Sequence, residues 1–217
     1  MRSNVMKTLT QEIFNELFVR YPQLEVCKLD IEKAYDLLLK TYEKKGKVLC
    51  CGNGGSASDS EHIVGELLKS FKMKRAVDND FALTLALYEN GKELVEKLEG
   101  ALPAISLVSQ TSIISAYAND RAWETTFAQQ VYGLGNKGDC LISLSTSGNS
   151  QNCVYATMVA KAKFMRTIAF TGAKDSKLKE ICDVTIAVPE TETFKVQELH
   201  LPIYHCLCAM LESEFFA

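Results

Sequence analysis

The sequence predicts an α/β protein, a three-layer sandwich in which helices cover both faces of a five-stranded parallel sheet. Five short apolar runs occur along the chain, helical stretches separate them, and the runs are continuously apolar rather than alternating. Continuous apolar strands are typical of parallel sheets buried on both faces, and alternation with helices favours this layering. The predicted strands are 47–51, 103–108, 139–144, 166–171 and 184–188.

Two helices precede the first strand. Leu9, Ile13 and Leu17 recur at four-residue spacing, and Pro22 ends the segment. This spacing predicts an amphipathic helix, because residues four apart share a face.

A second helix is predicted from Asp30, as its N-cap residue, to Lys45, with Gly46 as the C′ glycine. A last helix is predicted over 194–215. Because 217 residues suit one domain, we expect a single domain over 1–217, with a helical arm at 1–46.

The segment 76–100 looks like an insert in this pattern. Leu94, Val95 and Leu98 predict a short amphipathic helix after Gly91. Three interpretations stay open: a lid, part of a subunit contact, or a surface elaboration without chemistry.

The composition excludes several classes of partner. A formal net charge of −3 and scattered Lys and Arg give no reason to expect nucleic acid. No run approaches the ~18 apolar residues of a membrane span, and the N-terminus shows no apolar signal-peptide core. The eight cysteines form no CxxC motif. We therefore expect buried thiols in a cytoplasmic protein without a membrane partner.

The first glycine-rich turn, GNGGS at 52–56, follows a strand and leads into a helix. Gly52, Gly54 and Ala57 match the G-x-G-x-x-A dinucleotide fingerprint, which also requires an acidic residue about 20 positions later, at the end of the second strand. Here the next predicted strand begins near 103, and no Gly-Lys-Ser/Thr follows the turn. We therefore expect no bound nucleotide.

The second unusual strand end is STSGNS at 145–150. It places four hydroxyls around Gly148, just before a helix predicted to begin at Asn149 or Ser150. Hydroxyls and backbone N–H groups at a helix N-terminus bind anions without needing Lys or Arg. The pattern favours a phosphate site over a serine-rich turn with an N-cap.

Histidines and carboxylates supply the candidate chemistry. His62 and Glu66 are four apart and share a face of the helix that the glycine turn begins. Such a pair is either half of a metal site or a solvent-side pair. The last helix adds Gln197, His200 and His205, and its Pro202 is expected to bend it.

Together these motifs resemble the SIS (sugar isomerase) family of phosphosugar-binding proteins, and most closely its phosphoheptose isomerases. The motifs are CGNGGS, H-x-x-x-E, AND at 118–120, STSGNS and VQE-x-H followed by a second histidine. The resemblance covers nearly the whole chain except the insert. It implies a SIS-type sheet, similar to flavodoxin and Rossmann folds.

The resemblance also implies roles for individual residues. Glu66 and His205 match the family's acid/base pair. The residues that match the family's metal ligands are His62, Glu66, Gln197 and His205, and the family's metal is usually zinc. The residues that contact the sugar phosphate match Asn53, Gly54, Gly55, Glu66, Asn119, Asp120, Ser145, Thr146, Ser147, Ser150 and Gln197. His200 matches a frequent histidine without an assigned role. Family members are homotetramers with active sites at subunit interfaces.

The resemblance implies a metal-assisted aldose–ketose isomerase that converts sedoheptulose 7-phosphate to D-glycero-D-manno-heptose 7-phosphate through an enediolate. Two alternatives stay open. One is a non-catalytic SIS protein, either a phosphosugar sensor or a binder of the replication initiator DnaA; the presence of Glu66 and His205 favours the enzyme. The other is an isomerase of another sugar phosphate, since Phe194 and the insert could change the pocket rim.

Overall fold

A computed structural model describes residues 6–217 as five parallel strands with helices on both sides. The spatial order of the strands is β2-β1-β3-β4-β5, and every neighbouring pair is parallel. The predicted fold class is thereby confirmed. The strands are β1 (Val48–Gly52), β2 (Ala104–Ser106), β3 (Cys140–Leu144), β4 (Arg166–Thr171) and β5 (Val184–Ala187).

The helices pack on the two faces of this sheet, and alternate strand residues point to each face. Val48 and Cys50 enter a core shared with helices α2, α3 and α10, whereas Leu49 and Cys51 enter a second core with α7 and α8. The α-helices are α1 (Thr8–Arg20), α2 (Lys28–Glu43), α3 (Gly55–Leu68), α4 (Asn79–Leu85), α5 (Gly91–Lys97), α6 (Thr111–Asp120), α7 (Thr126–Leu134), α8 (Gln151–Ala162), α9 (Lys177–Ile181) and α10 (Thr193–Phe216).

The ends of α2 differ from the prediction. The helix begins at Lys28, after a 3₁₀ turn at Pro22–Cys27, so Asp30 lies in its first turn and is not the N-cap. At the other end the left-handed residue is Lys45, with φ 58°, rather than Gly46. Lys45 N and Gly46 N donate to carbonyls of the last turn, as in a Schellman ending, so the turn tolerates a lysine at C′.

The inserted segment contains two helices, where the sequence predicted one. The predicted helix is α5, and α4 precedes it, capped by Asp78, whose side chain accepts from Asp80 N and Phe81 N. Apolar side chains of the segment such as Leu83 and Leu87 are exposed.

The topology places two loops side by side. The chain leaves β1 toward β2 on one side and returns to β3 on the other, which makes the β1–β3 boundary a topological switch point. Gly52 at the end of β1 pairs with Leu144 at the end of β3. The glycine turn and the STSGNS loop therefore open onto the same crevice.

No helix within residues 6–217 is long and apolar enough to cross a membrane. All eight cysteines are free thiols, and only Cys182 is not buried.

Candidate functional site

The glycine turn brings α3 close to α10. Gly54 has φ 56°, a left-handed conformation that a side chain would strain. A Cβ on Gly55 would lie 1.9 Å from Nε2 of Gln197. Gly55 therefore leaves room for the Gln197 amide, which packs over the first turn of α3.

His62, Glu66 and His205 form a cluster between α3 and α10. His62 Nε2 lies 3.2 Å from Glu66 Oε1 and 3.4 Å from His205 Nε2. The Glu66 side chain is only 10% exposed, whereas that of His62 is 43% exposed. A buried carboxylate and two imidazoles thus meet beside the exposed face of His62.

Tyr204 and Asp59 determine which His62 nitrogen is free. The Tyr204 hydroxyl donates to Asp59 Oδ1 at 3.1 Å and also lies 3.1 Å from His62 Nδ1. Because the single hydroxyl proton points to the carboxylate, His62 Nδ1 must donate to Tyr204. In the neutral ring, Nε2 then carries the lone pair and faces Glu66 and His205. Sequence reasoning missed both Asp59 and Tyr204, although Asp59 lies one turn before His62.

Burial shifts the pKa of two groups in this cluster. Burial raises the pKa of the Asp59 carboxyl above its usual value, while the Tyr204 hydrogen bond, His62 and Gln197 oppose the rise. Asp59 Oδ2 is buried without a hydrogen-bond partner in the described part of the chain. Burial and the neighbouring His62 lower the pKa of His205, which favours its neutral ring.

Lys69 is a cation beside Glu66. Its Nζ donates to Glu66 Oε2 at 2.9 Å and to Ser70 O at 3.1 Å. The two Glu66 oxygens therefore face different partners, an imidazole on one side and an ammonium group on the other.

The donor atoms partly fit a zinc ion. With Zn–N bonds of ~2.0–2.1 Å, two ligand atoms of a tetrahedral site lie about 3.3–3.4 Å apart. The separations of His62 Nε2 from His205 Nε2 and from Glu66 Oε1 are near this value. Within residues 6–217, no group of three or more His, Cys, Asp or Glu side chains is already arranged as a metal site. Gln197 lies beside Gly55 and Asp59 rather than bonded to either imidazole.

The STSGNS loop is a compact turn at the end of β3. Ser145 Oγ donates to Ser150 Oγ at 2.9 Å, and Asn149 N donates to Ser147 Oγ at 3.2 Å. Gly148 has φ 64°, and α8 begins just after Ser150, its N-cap residue. Hydroxyls and the N-terminus of a twelve-residue helix therefore lie together at the end of β3.

A reciprocal amide pair joins the two loops. Asn53 Nδ2 donates to Asn152 Oδ1 at 2.9 Å, and Asn152 Nδ2 donates back to Asn53 Oδ1 at 2.8 Å. Asn152 lies in the first turn of α8 and was not among the predicted site residues. The pair fixes the glycine turn relative to the serine loop.

Asn119 and Asp120 lie at the exposed end of α6 and hydrogen-bond each other at 3.0 Å. In the described part of the chain, no hydrogen bond joins them to the two loops. His200 is fully buried, and its Nε2 lies 3.3 Å from Thr171 O, so it belongs to the core.

Comparison with known proteins gives consistent relatives. A SIS domain model matches residues 23–105 and 87–172. The phosphoheptose isomerase of Burkholderia pseudomallei (strain 1710b) is 38% identical over 86% of this chain and 82% of its own length. The phosphoheptose isomerase of Helicobacter pylori (strain P12) is 38% identical over 88% of each chain. The structure of a phosphoheptose isomerase from Francisella tularensis matches with a TM-score of 0.72 and 30% identity, covering 96% of this chain and 100% of that one.

The fold is that of a parallel α/β protein in which two loops meet at a topological switch point of the sheet. The chain belongs to the SIS domain family, in which these curated relatives are phosphoheptose isomerases.

Proposed function

We propose that this protein is a sugar-phosphate isomerase that converts sedoheptulose 7-phosphate to D-glycero-D-manno-heptose 7-phosphate. One observation carries the proposal: Glu66 and His205 meet at His62, on the helix that the glycine turn begins, and that turn lies beside the STSGNS loop. The names and coverage of the relatives support the same reaction.

In this proposal the serine loop binds the phosphate. Ser145, Thr146, Ser147 and Ser150 offer hydroxyls, and the start of α8 adds its backbone N–H groups. The glycine turn, Asn53 and Gln197 line the path of the carbon chain, and Asn119 and Asp120 complete the binding set. Holding the phosphate end orients the reacting carbons without taking part in the chemistry.

Glu66 and His205 exchange the protons. The Glu66 carboxylate removes a proton from C1 of the ketose, and the electron pair of that C–H bond forms the C1–C2 double bond of an enediolate. His205 donates its ring N–H proton to the oxygen on C2, which gives the enediol. Glu66 then returns its proton to C2, and His205 takes the proton from O1, which gives the aldose and restores both side chains. A positioned acid/base pair contributes typically ~10²–10⁴-fold to such a step.

His62, Glu66, Gln197 and His205 would hold a zinc ion, with two donor separations near those of a tetrahedral site. When bound, the ion would act as a Lewis acid toward the substrate carbonyl. Asp59 and Tyr204 support this use of His62, because a histidine that ligates a metal commonly donates its other N–H to a fixed acceptor.

The protein is proposed to act as a homotetramer with active sites at subunit interfaces. Support comes from α6, which buries none of its residues in the single chain although it carries Asn119 and Asp120. Exposed Trp123 and Tyr132 follow it. Light scattering coupled to size exclusion tests the assembly: four chains per particle are expected, and a monomer would contradict it. Eight free thiols support a cytoplasmic, reducing location.

A coupled assay tests the function. The purified chain is incubated with sedoheptulose 7-phosphate, with added zinc and after chelation, and in parallel with shorter ketose phosphates. Turnover of the heptose is expected. Turnover of a shorter sugar alone would reassign the substrate and point to the exposed Phe194 at the start of α10. No turnover of any sugar phosphate would reject the isomerase.

A further inference from the structure

The segment 76–100 begins and ends at the same place, the C-terminal end of α3. Gly100 N donates to Arg75 O at 3.0 Å, and Leu102 N donates to Leu67 O at 2.9 Å. The two ends of the insert are therefore fixed within one turn of Glu66, independently of how α4 and α5 are placed.

Arg75, at the start of the insert, holds the last turn of α3. Its Nη2 donates to Glu66 O and its Nη1 to Leu67 O, both at 2.8 Å. These carbonyls lie at the end of the helix, where a cation is favourable. Arg75 Nε also donates to Glu212 Oε1 at 2.7 Å, and both side chains are 0% exposed. Because Glu212 lies on α10, the guanidinium joins the helix of Glu66 to the helix of His205.

Glu99, at the end of the insert, holds the next residues. Its two carboxylate oxygens accept from Ser70 N at 2.8 Å and Ser70 Oγ at 2.7 Å, which lowers the pKa of the Glu99 carboxyl. Ser70 O in turn accepts from Lys69 Nζ, which donates to Glu66 Oε2. The contacts thus run from the insert to the carboxylate of the proposed base.

We propose that the base of the insert, Arg75 and Glu99, acts as a clamp that positions Glu66 for proton transfer. The inference rests on the proposed isomerase function, and it makes both residues positioning residues. Arg75 fixes the backbone of Glu66. Glu99 fixes Lys69, which donates a hydrogen bond to the carboxylate of Glu66. The serine loop follows β3, whereas the clamp contacts the last turn of α3. We therefore expect loss of the clamp to lower kcat and to leave KM unchanged.

The first experiment removes the exposed half of the clamp. Glu99→Ala is compared with Glu93→Ala, which deletes a carboxylate of α5 that pairs only with Lys97 on its own helix. We expect kcat to fall about tenfold in Glu99→Ala with KM unchanged, because small misplacement of a reacting group costs rate. Glu93→Ala should match the wild type. Equal kcat in all three proteins would overturn the role of Glu99.

The second experiment separates positioning from folding at Arg75. Arg75→Met alone leaves Glu212 buried without its partner and is expected to destabilise the protein. The double variant Arg75→Met/Glu212→Gln removes both charges, and its one amide oxygen replaces one of the two Glu212 oxygens that accept from Phe71 N and Lys72 N. Recovery of the melting temperature with kcat still about tenfold low is expected. Recovery of both would show that Arg75 is only structural.

Hydrogen exchange gives a readout that needs no substrate. Amides of the last turn of α3 and of Ser70 should exchange about tenfold faster in Glu99→Ala than in Glu93→Ala, because a local restraint has been lost. If the wild type fails to turn over any sugar phosphate, the proposed function fails and this measurement alone judges the clamp. Identical exchange in both variants would reject it.

Discussion

The loops that end β1 and β3 lie side by side but differ in construction. The glycine turn leads into α3, whose reactive side chains contact another helix: Glu66 and His62 meet His205 of α10. The serine loop instead makes hydrogen bonds within itself, as between Ser145 and Ser150, and to the residues at and after the end of β4, as between Thr146 O and Gly172 N. One region depends on helix packing for its geometry, whereas the other depends on a local turn.

This difference separates chemistry from binding. In the proposed mechanism the α3–α10 region holds the groups that exchange protons, and their positions depend on the packing of both helices. The serine loop carries neutral hydroxyls, so the phosphate binding proposed for it should depend little on pH. Variants in the first region should therefore change kcat or metal binding, and variants in the second should change KM.

The largest effect is expected for Glu66→Gln. The amide keeps the size of the side chain but cannot take a proton, so kcat should fall by at least about 100-fold with KM little changed. Glu61→Gln is the matched control, since Glu61 lies on α3 but accepts only from Ser109 Oγ on the exposed side. Steady-state kinetics of both variants decide. Retained kcat in Glu66→Gln would assign the base elsewhere.

Tyr204→Phe should have the next largest effect. Loss of the hydroxyl frees His62 Nδ1, and zinc affinity should fall about 10–100-fold, as when an outer-shell partner of a metal ligand is removed. The measurement is competition with a chromogenic chelator.

Tyr35→Phe is the control for Tyr204→Phe. Tyr35 is buried and its hydroxyl also bonds a carboxylate of α10, that of Glu214, away from the cluster. Equal zinc affinity in the two variants would show that the Tyr204 hydroxyl does not orient His62 for metal binding.

Ser147→Ala tests the binding half of the comparison. Ser147 is exposed at the tip of the loop, and losing one hydrogen bond of about 1.4 kcal/mol to the phosphate should raise KM about tenfold at constant kcat. Thr84→Ala, whose hydroxyl bonds only its own helix, is the control. A fall in kcat with constant KM would contradict the proposal that the serine loop serves substrate binding rather than proton transfer.

The smallest effect concerns His200, which lies under the serine loop. Thr171 O accepts its ring N–H, and the next residue, Gly172, donates its N–H to Thr146 O. Burial lowers the pKa of His200 from 6.5 to about 4, so the unfolded chain binds this proton first as the pH falls. Its contribution to stability is present above pH 6.5 and is lost progressively toward pH 4. Between pH 6.5 and 5.5 this loss amounts to about 1 kcal/mol.

Urea unfolding at pH 6.5 and 5.5 measures the His200 contribution. His200→Gln should unfold more easily overall but lose about 1 kcal/mol less between the two pH values than the wild type. The same loss in both proteins would show that other groups cause it.

Much of the fold follows from local patterns. All five apolar runs are strands, because a strand buried on both faces needs continuous apolar residues, as Val48–Gly52 has. The ends of α2 were not predictable from composition. Asp30 is a good N-cap residue, but the preceding 3₁₀ turn allows the helix to start earlier, at Lys28, and the C′ position accepts Lys45. The N-cap of α4 was predictable, because Asp78 is of a residue type favoured at that position, but sequence reasoning missed it.

Sequence motifs indicated the site residues that are close in the chain. They did not reveal contacts between residues that are far apart in the chain. The spacing of His62 and Glu66 indicated a shared helix face, and their proximity to His205 agrees with the family pattern. The Asp59–Tyr204 contact joins residues 145 positions apart, which spacing cannot reveal. The roles of Asn119 and Asp120 stay predictions, since α6 buries nothing against the rest of this chain.

The deep burial of α10 has a consequence for heat inactivation. The helix contributes Tyr204, Leu207 and Met210 to the same core as the strands, and the same helix carries His205. The His62, Glu66 and His205 cluster therefore cannot unfold separately while the core remains folded. Loss of activity on heating and loss of secondary structure should occur in one cooperative transition, without a folded but inactive state between them.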